Sequence, residues 1–179
     1  PQTIKVPGDP SSAAFFIVGA LIHPGSELLI RNVGINPLRT GVIDVLRKMG
    51  GNIEITNERD VSGEPVGDIL VKSSELHGAV IEREMIPKAI DELPVIAAAA
   101  CFAEGETIIR DARELRVKET DRIKAMTAEL LKLGARVTEF EDGMSISGGE
   151  PLKGARCSSW GDHRIAMATA IAGLIADGA

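Results

Sequence analysis

Leu93-Pro94-Val95-Ile96-Ala97-Ala98-Ala99-Ala100-Cys101-Phe102-Ala103 is the stretch on which the reading of this chain turns. It carries no charge and is apolar around its whole circumference. A helix of that kind is buried on every side, and its alanines let neighbours approach closely. Residues 13–22 and 165–176 have the same character. Each run leads to a turn, at Pro24-Gly25, Gly105 and Gly178. After the first two turns comes a strand pattern, at 27–31 and 106–110. An amphipathic helix follows, at 37–49 and 119–133, then a glycine, Gly50 or Gly134, in the position of a left-handed helix end. Further strands are expected at 52–55 and 136–140, with others at 68–72, 79–82 and 144–147. The chain is therefore an α/β repeat protein. Two complete units, about 1–72 and 73–147, and a partial third, 148–179, form a single domain. Three parallel apolar helices pack inside it, with sheets and amphipathic helices outside. Leu38, Val42, Leu46 and Met49 form one apolar stripe, and Ile123, Met126, Leu130 and Leu133 form another. Asn36-Pro37 reads as an N-cap followed by proline at the first helical position.

The composition agrees and narrows the function. The chain has 179 residues, 44% hydrophobic and 26% charged, which is globular rather than disordered. With four Phe, one Trp and no Tyr, the core is aliphatic and alanine-rich. The formal charge is −6, from 20 basic and 26 acidic residues. That lacks the basic surplus of a chain that tracks a nucleic-acid backbone. No uncharged run approaches the ~20 residues that cross a bilayer. Cys101 and Cys157 stand far apart in no metal-binding spacing, which suits a reducing cytoplasm. The first residue is Pro1, and Ala176-Asp177-Gly178-Ala179 reads like a turn entering another element. Both lead us to expect a fragment of a longer chain, incomplete at its C-terminal end.

The chemistry-bearing residues gather at the starts of the apolar helices: Asp9-Pro10-Ser11-Ser12, Asp91-Glu92 and Gly161-Asp162-His163-Arg164. Parallel helices would bring these starts together, and their unpaired N–H groups attract an anion. Routine capping is the alternative at each start taken alone. Asp91 can serve as a base, as a hydroxyl-binding group or as a cap. Arg164, opening an apolar helix, needs an anionic partner. A substrate carboxylate or phosphate fits its fork, and so does an internal Asp such as Asp162. His163 reads as a capping or packing residue rather than a metal ligand. The segment 113–122 is either a solvated charge run or an anion clamp with a carboxylate embedded in it. Glu119 and Arg122, three apart, share a helix face in this reading. P-loop, Rossmann, zinc-protease and nucleophile-elbow motifs are absent.

Arg116-Val117-Lys118-Glu119-Thr120-Asp121-Arg122 and Asp162-His163-Arg164-Ile165-Ala166-Met167 resemble the two signature segments of the 5-enolpyruvylshikimate-3-phosphate synthase (EPSP synthase) family. Pro7-Gly8-Asp9-Pro10-Ser11-Ser12-Ala13 resembles the segment that opens the C-terminal half. The resemblance implies two domains, each of three βαβαββ units, closing on substrates between them. It implies transfer of the enolpyruvyl group of phosphoenolpyruvate to the 5-hydroxyl of shikimate 3-phosphate with release of phosphate, using no metal or organic cofactor. By motif, Asp91 corresponds to the carboxylate that accepts the hydroxyl proton, and Glu119 to the one in proton transfer at the methylene. Lys118 corresponds to a shikimate 3-phosphate ligand, and Arg122 and Arg164 to phosphoenolpyruvate ligands. The resemblance also implies competition by glyphosate at the phosphoenolpyruvate site, and a partner in the family's N-terminal domain, without which the chain is inactive. Glu114 or a neighbour stands where many members carry a substrate-contacting Asn. A related family, UDP-N-acetylglucosamine enolpyruvyl transferase, shares the architecture, and a non-catalytic anion-binding repeat is the alternative of another class.

Overall fold

The computed structural model describes residues 3–178. Three apolar helices meet at its centre: α1 (Pro10–Ile22), α4 (Leu93–Ala100) and α6 (His163–Gly173). Every residue of α4 is buried, because α1, α2, α5 and α6 surround it. The other two depart from the expected all-round burial. Phe16 on α1 is exposed. On α6 only the line Ile165, Ala168, Thr169 and Ala172 is buried, since this helix packs mainly on α4, α1 and α5.

Two antiparallel sheets flank the helices and repeat one topology. The first contains β1 (Glu27–Gly34), β2 (Asn52–Val61) and β3 (Glu64–Lys72) in the order β1-β3-β2. The second contains β5 (Glu106–Ile109), β6 (Arg136–Phe140) and β7 (Gly143–Ser147) in the matching order β5-β7-β6, with β4 (Val80–Ile81) parallel to β5 at the edge. Val33 of β1 makes a parallel bridge to Gly8, and Lys153 makes one to Asp177. Each apolar helix is thus preceded by a strand-like residue that pairs with a residue beyond that helix. Registers such as Ile30↔Ile69 and Ile109↔Met144 put alternate apolar side chains on the helices. A Cβ on Gly143 would collide with the Ile109 carbonyl, so only glycine admits that β5–β7 approach.

The amphipathic helices are shorter than expected. α2 (Gly41–Lys48) begins four residues after Pro37. The Asn36 side chain accepts from the Leu38 N–H and its carbonyl from the Arg39 N–H, which closes a separate turn. Asn36 is therefore not the N-cap, and Leu38 leaves the apolar stripe to stand 72% exposed. Val42, Leu46 and Met49 are buried, as expected. α5 (Arg122–Lys132) is capped by Asp121, which accepts from the Lys124 N–H. Glu119 lies before that cap and shares no helix face with Arg122. Ile123, Met126, Leu130 and Leu133 are buried, and Gly50 and Gly134 take the left-handed conformation, with φ of +92° and +86°. A five-residue helix, α3 (Met85–Ala89), and a 3₁₀ turn (Arg113–Val117) were not legible from periodicity. No helix among the described residues is long and apolar enough to cross a membrane.

Candidate active site

The starts of α1, α4 and α6 lie at one end of the molecule. Ser11 on α1 and Glu92 at the start of α4 line one cavity, and Arg164 Nη1 on α6 donates to the Asp91 carbonyl at 2.9 Å. Their N–H groups are not equally free. Asp9 accepts from the Ser11 and Ser12 N–H groups, and Asp162 from that of Arg164. Glu92, at the cap position of α4, makes no side-chain cap bond. Asp91 therefore does not cap the helix it precedes.

The five residues singled out from the sequence meet in one network, with Asp91 and Arg122 at its centre. Asp91 Oδ1 lies 3.0 Å from Arg122 Nη1 and 3.6 Å from Lys118 Nζ, and Asp91 Oδ2 lies 3.9 Å from Arg164 Nη2. Glu119 joins through Arg122, with Oε2 at 2.6 Å from Nη2. Burial works against ionisation of Asp91, but Arg164, Lys118 and Arg122 outweigh it and hold the carboxyl below its ordinary value. A cavity of about 360 Å³ opens beside Asp91 and Arg164, lined also by Asp9, Ser11, Arg39, Lys88 and Glu92. Lys118, Glu119 and Arg122 do not line it.

Arg122 is the deepest member, with its side chain only 1% exposed. Its Nε donates to Asp162 Oδ2 at 2.8 Å, so three carboxylates (Asp162, Asp91 and Glu119) share one guanidinium. Asp162 is itself buried. Desolvation opposes its charge, yet the bonds from Arg122 and from the Arg164 and Ile165 N–H groups keep it below the usual carboxylate range. The internal Asp considered for Arg164 thus belongs to Arg122 through its side chain. Arg164 instead faces Asp91 and, at 3.5 Å, Glu92. Lys118 is held by Glu114 at 2.8 Å, which raises its pKa.

The sequence reading gave no role to two groups. Glu92 is buried against Ser11 and Arg164; the visible signal was a second acid beside Asp91 at the mouth of an apolar run. Glu129 on α5 has a fully buried carboxylate that accepts from Trp160 Nε1 at 2.6 Å, the Ser158 N–H at 2.9 Å and Lys132 Nζ at 2.7 Å. It pins the segment entering α6, where Trp160 takes a left-handed φ of +54°. Nothing in its helical spacing marked Glu129 as more than a surface residue. Both cysteines are unpaired, and burial pushes the Cys101 thiol up to about 12.

Helices gathered inside sheets of repeated strand order are a fold shared with an enolpyruvyl transferase. The enolpyruvyl transferase NikO from Streptomyces tendae superposes with a TM-score of 0.70 at 19% identity, over 94% of this chain and 37% of that one. The chain belongs to the EPSP synthase (3-phosphoshikimate 1-carboxyvinyltransferase) family, whose model matches residues 1–179. EPSP synthase from Acinetobacter baumannii superposes with a TM-score of 0.95 at 46% identity, covering 98% of this chain and 41% of that one. The 3-phosphoshikimate 1-carboxyvinyltransferase of Syntrophotalea carbinolica is 67% identical over 171 residues, 96% of this chain and 40% of that protein. The family model and these high-identity relatives support the first reading of the sequence, not the UDP-N-acetylglucosamine alternative. The chain spans about 40% of the length of the curated relatives it matches.

Proposed function

We propose that this chain supplies one face of a 3-phosphoshikimate 1-carboxyvinyltransferase active site. Its substrates are phosphoenolpyruvate and shikimate 3-phosphate, and the rest of the enzyme contributes the opposing face. The carrying observation is the convergence of Asp91, Lys118, Glu119, Arg122 and Arg164 on one network in a chain of this family. Asp91, ionised and half-exposed, accepts the proton of the attacking 5-hydroxyl. Glu119 delivers a proton to the phosphoenolpyruvate methylene as the hydroxyl oxygen bonds to its neighbouring carbon. The tetrahedral adduct then loses phosphate and a proton, restoring the enolpyruvyl double bond. Lys118 binds the shikimate 3-phosphate anion, and Arg164 together with Arg122 binds phosphoenolpyruvate. Proximity and paired acid–base groups supply the rate, and no metal or organic cofactor enters this reading. The matching sheet orders support repeat units of about 1–72 and 73–147, and the Lys153–Asp177 bridge around α6 supports a partial third, 148–179. The two unpaired thiols suit a reducing cytoplasm.

The test is complementation: the missing N-terminal portion is added in trans and phosphate release is assayed. Activity is expected only on mixing. No activity with a verified folded partner would leave a non-catalytic anion-binding module. In the complete enzyme, Arg164→Ala is expected to raise KM for phosphoenolpyruvate about tenfold or more, and KM for shikimate 3-phosphate much less. Equal effects on both substrates would contradict the assignment of Arg164.

A further inference from the structure

Three cations, Arg39, Lys88 and Arg164, and three carboxylates, Asp9, Asp91 and Glu92, line the cavity at the helix starts. Two of the carboxylates have short ionic partners: Asp9 has Arg39 at 2.9 Å, and Asp91 has Arg122 at 3.0 Å. Glu92 differs. It is the most buried of the three, and the cation it faces, Arg164, stands 3.5 Å away. The Ser11 hydroxyl, which takes a bond from Arg39 at 3.3 Å, faces the same cavity from α1. With all six groups charged the cavity lining is neutral, so an arriving anion meets no net attraction. Neutralising Glu92 alone leaves the lining with one positive charge and frees the face of Arg164 that Glu92 occupies.

Resting on the reading of Arg164 as an anion ligand, we propose that Glu92 is a proton-linked positioning residue. It holds Arg164 through its carboxylate and takes up a proton from solvent when an anion claims that guanidinium. Burial already raises its pKa; Ser11 and Arg164 pull against that rise, and Asp91 adds to it. Withdrawing Arg164 to an anion removes one of the groups that keep Glu92 ionised. Binding of the anion and of the proton therefore reinforce each other.

The probe is sulfate, which keeps its double charge across about pH 5 to 8, titrated into the chain and followed by backbone amide NMR shifts. The same spectra report the fold. The neighbouring imidazole is removed by His163→Gln in every sample, so the comparison isolates the carboxylate. Affinity is expected to fall about tenfold or more as pH rises above the ordinary glutamate value of 4.5 and through the raised one. Glu92→Gln is expected to bind at the high-affinity level throughout. Parallel pH profiles for the two chains overturn the inference, as does absence of binding in both. Ser11→Ala, which removes a hydroxyl that favours the ionised form, is expected to move the profile to higher pH; an unmoved profile also counts against the proposal. A purely structural role would change the unfolding midpoint and leave these profiles alike. Sulfate binding that survives Arg164→Ala would instead sink the reading of Arg164 as the ligand.

Discussion

Arg122→Ala is expected to lower the folding stability of the chain by about 3–5 kcal/mol, the cost of breaking a buried ion pair by removing one partner. The guanidinium is almost wholly enclosed, and Asp162, also enclosed, would keep its charge with no cation beside it. Asp91 and Glu119 would lose their shared donor as well. Urea unfolding measures the loss, and a change below about 1 kcal/mol would show that the network contributes little. Replacing Arg122 and Asp162 together by leucines is expected to recover much of the deficit, because no buried charge is then stranded. The pH dependence follows from the same pair. Asp162 has a folded pKa below its ordinary 3.8, so its contribution is fully present above that value. It is lost as pH falls through the lower folded value. Truncating Arg122 would thus disturb folding before it disturbed substrate binding, whatever contact the guanidinium also makes with phosphoenolpyruvate.

The second large effect is on rate. In the complete enzyme, Glu119→Gln is expected to reduce kcat about 10²–10⁴-fold, the range for loss of a general acid–base group. The unfolding midpoint should barely move. Glu119 is 52% exposed on its side chain, and the Gln carbonyl can still accept from Arg122. Steady-state phosphate release gives kcat, and a reduction of less than about tenfold would remove Glu119 from the proton-transfer step. The contrast with Arg122 is instructive: two residues joined by a 2.6 Å contact are expected to fail in different ways, because one is enclosed and the other open.

Much of this was legible in the sequence, and what was not has physical causes. The apolar runs announced α1, α4 and α6, because a circumference without charge cannot face water. The same rule overstated α6, whose burial depends on how many neighbours reach it, a tertiary matter. The stripe through Val42, Leu46 and Met49 located α2, but local hydrogen bonding by Asn36 outcompeted the helix and carried Leu38 into solvent. The motif residues named the site correctly as a neighbourhood. Their spacing gave no depth, so a buried Arg122 and a half-exposed Glu119 looked alike. Glu92 and Glu129 were hidden for a related reason: an acid on a helix is ordinarily solvated, and only the packing of Ser11, Arg164, Ser158 and Trp160 around them makes these two exceptional.

Trp160 is the sole tryptophan of a chain that has no tyrosine. Its indole is fastened to Glu129, two residues before Asp162. Intrinsic fluorescence excited at the indole band therefore carries signal from this one corner of the molecule, with no background from elsewhere in the chain. Emission will track solvent entry at the junction delivering Asp162 and Arg164, and can register local opening of that junction while the alanine-rich interior stays shut.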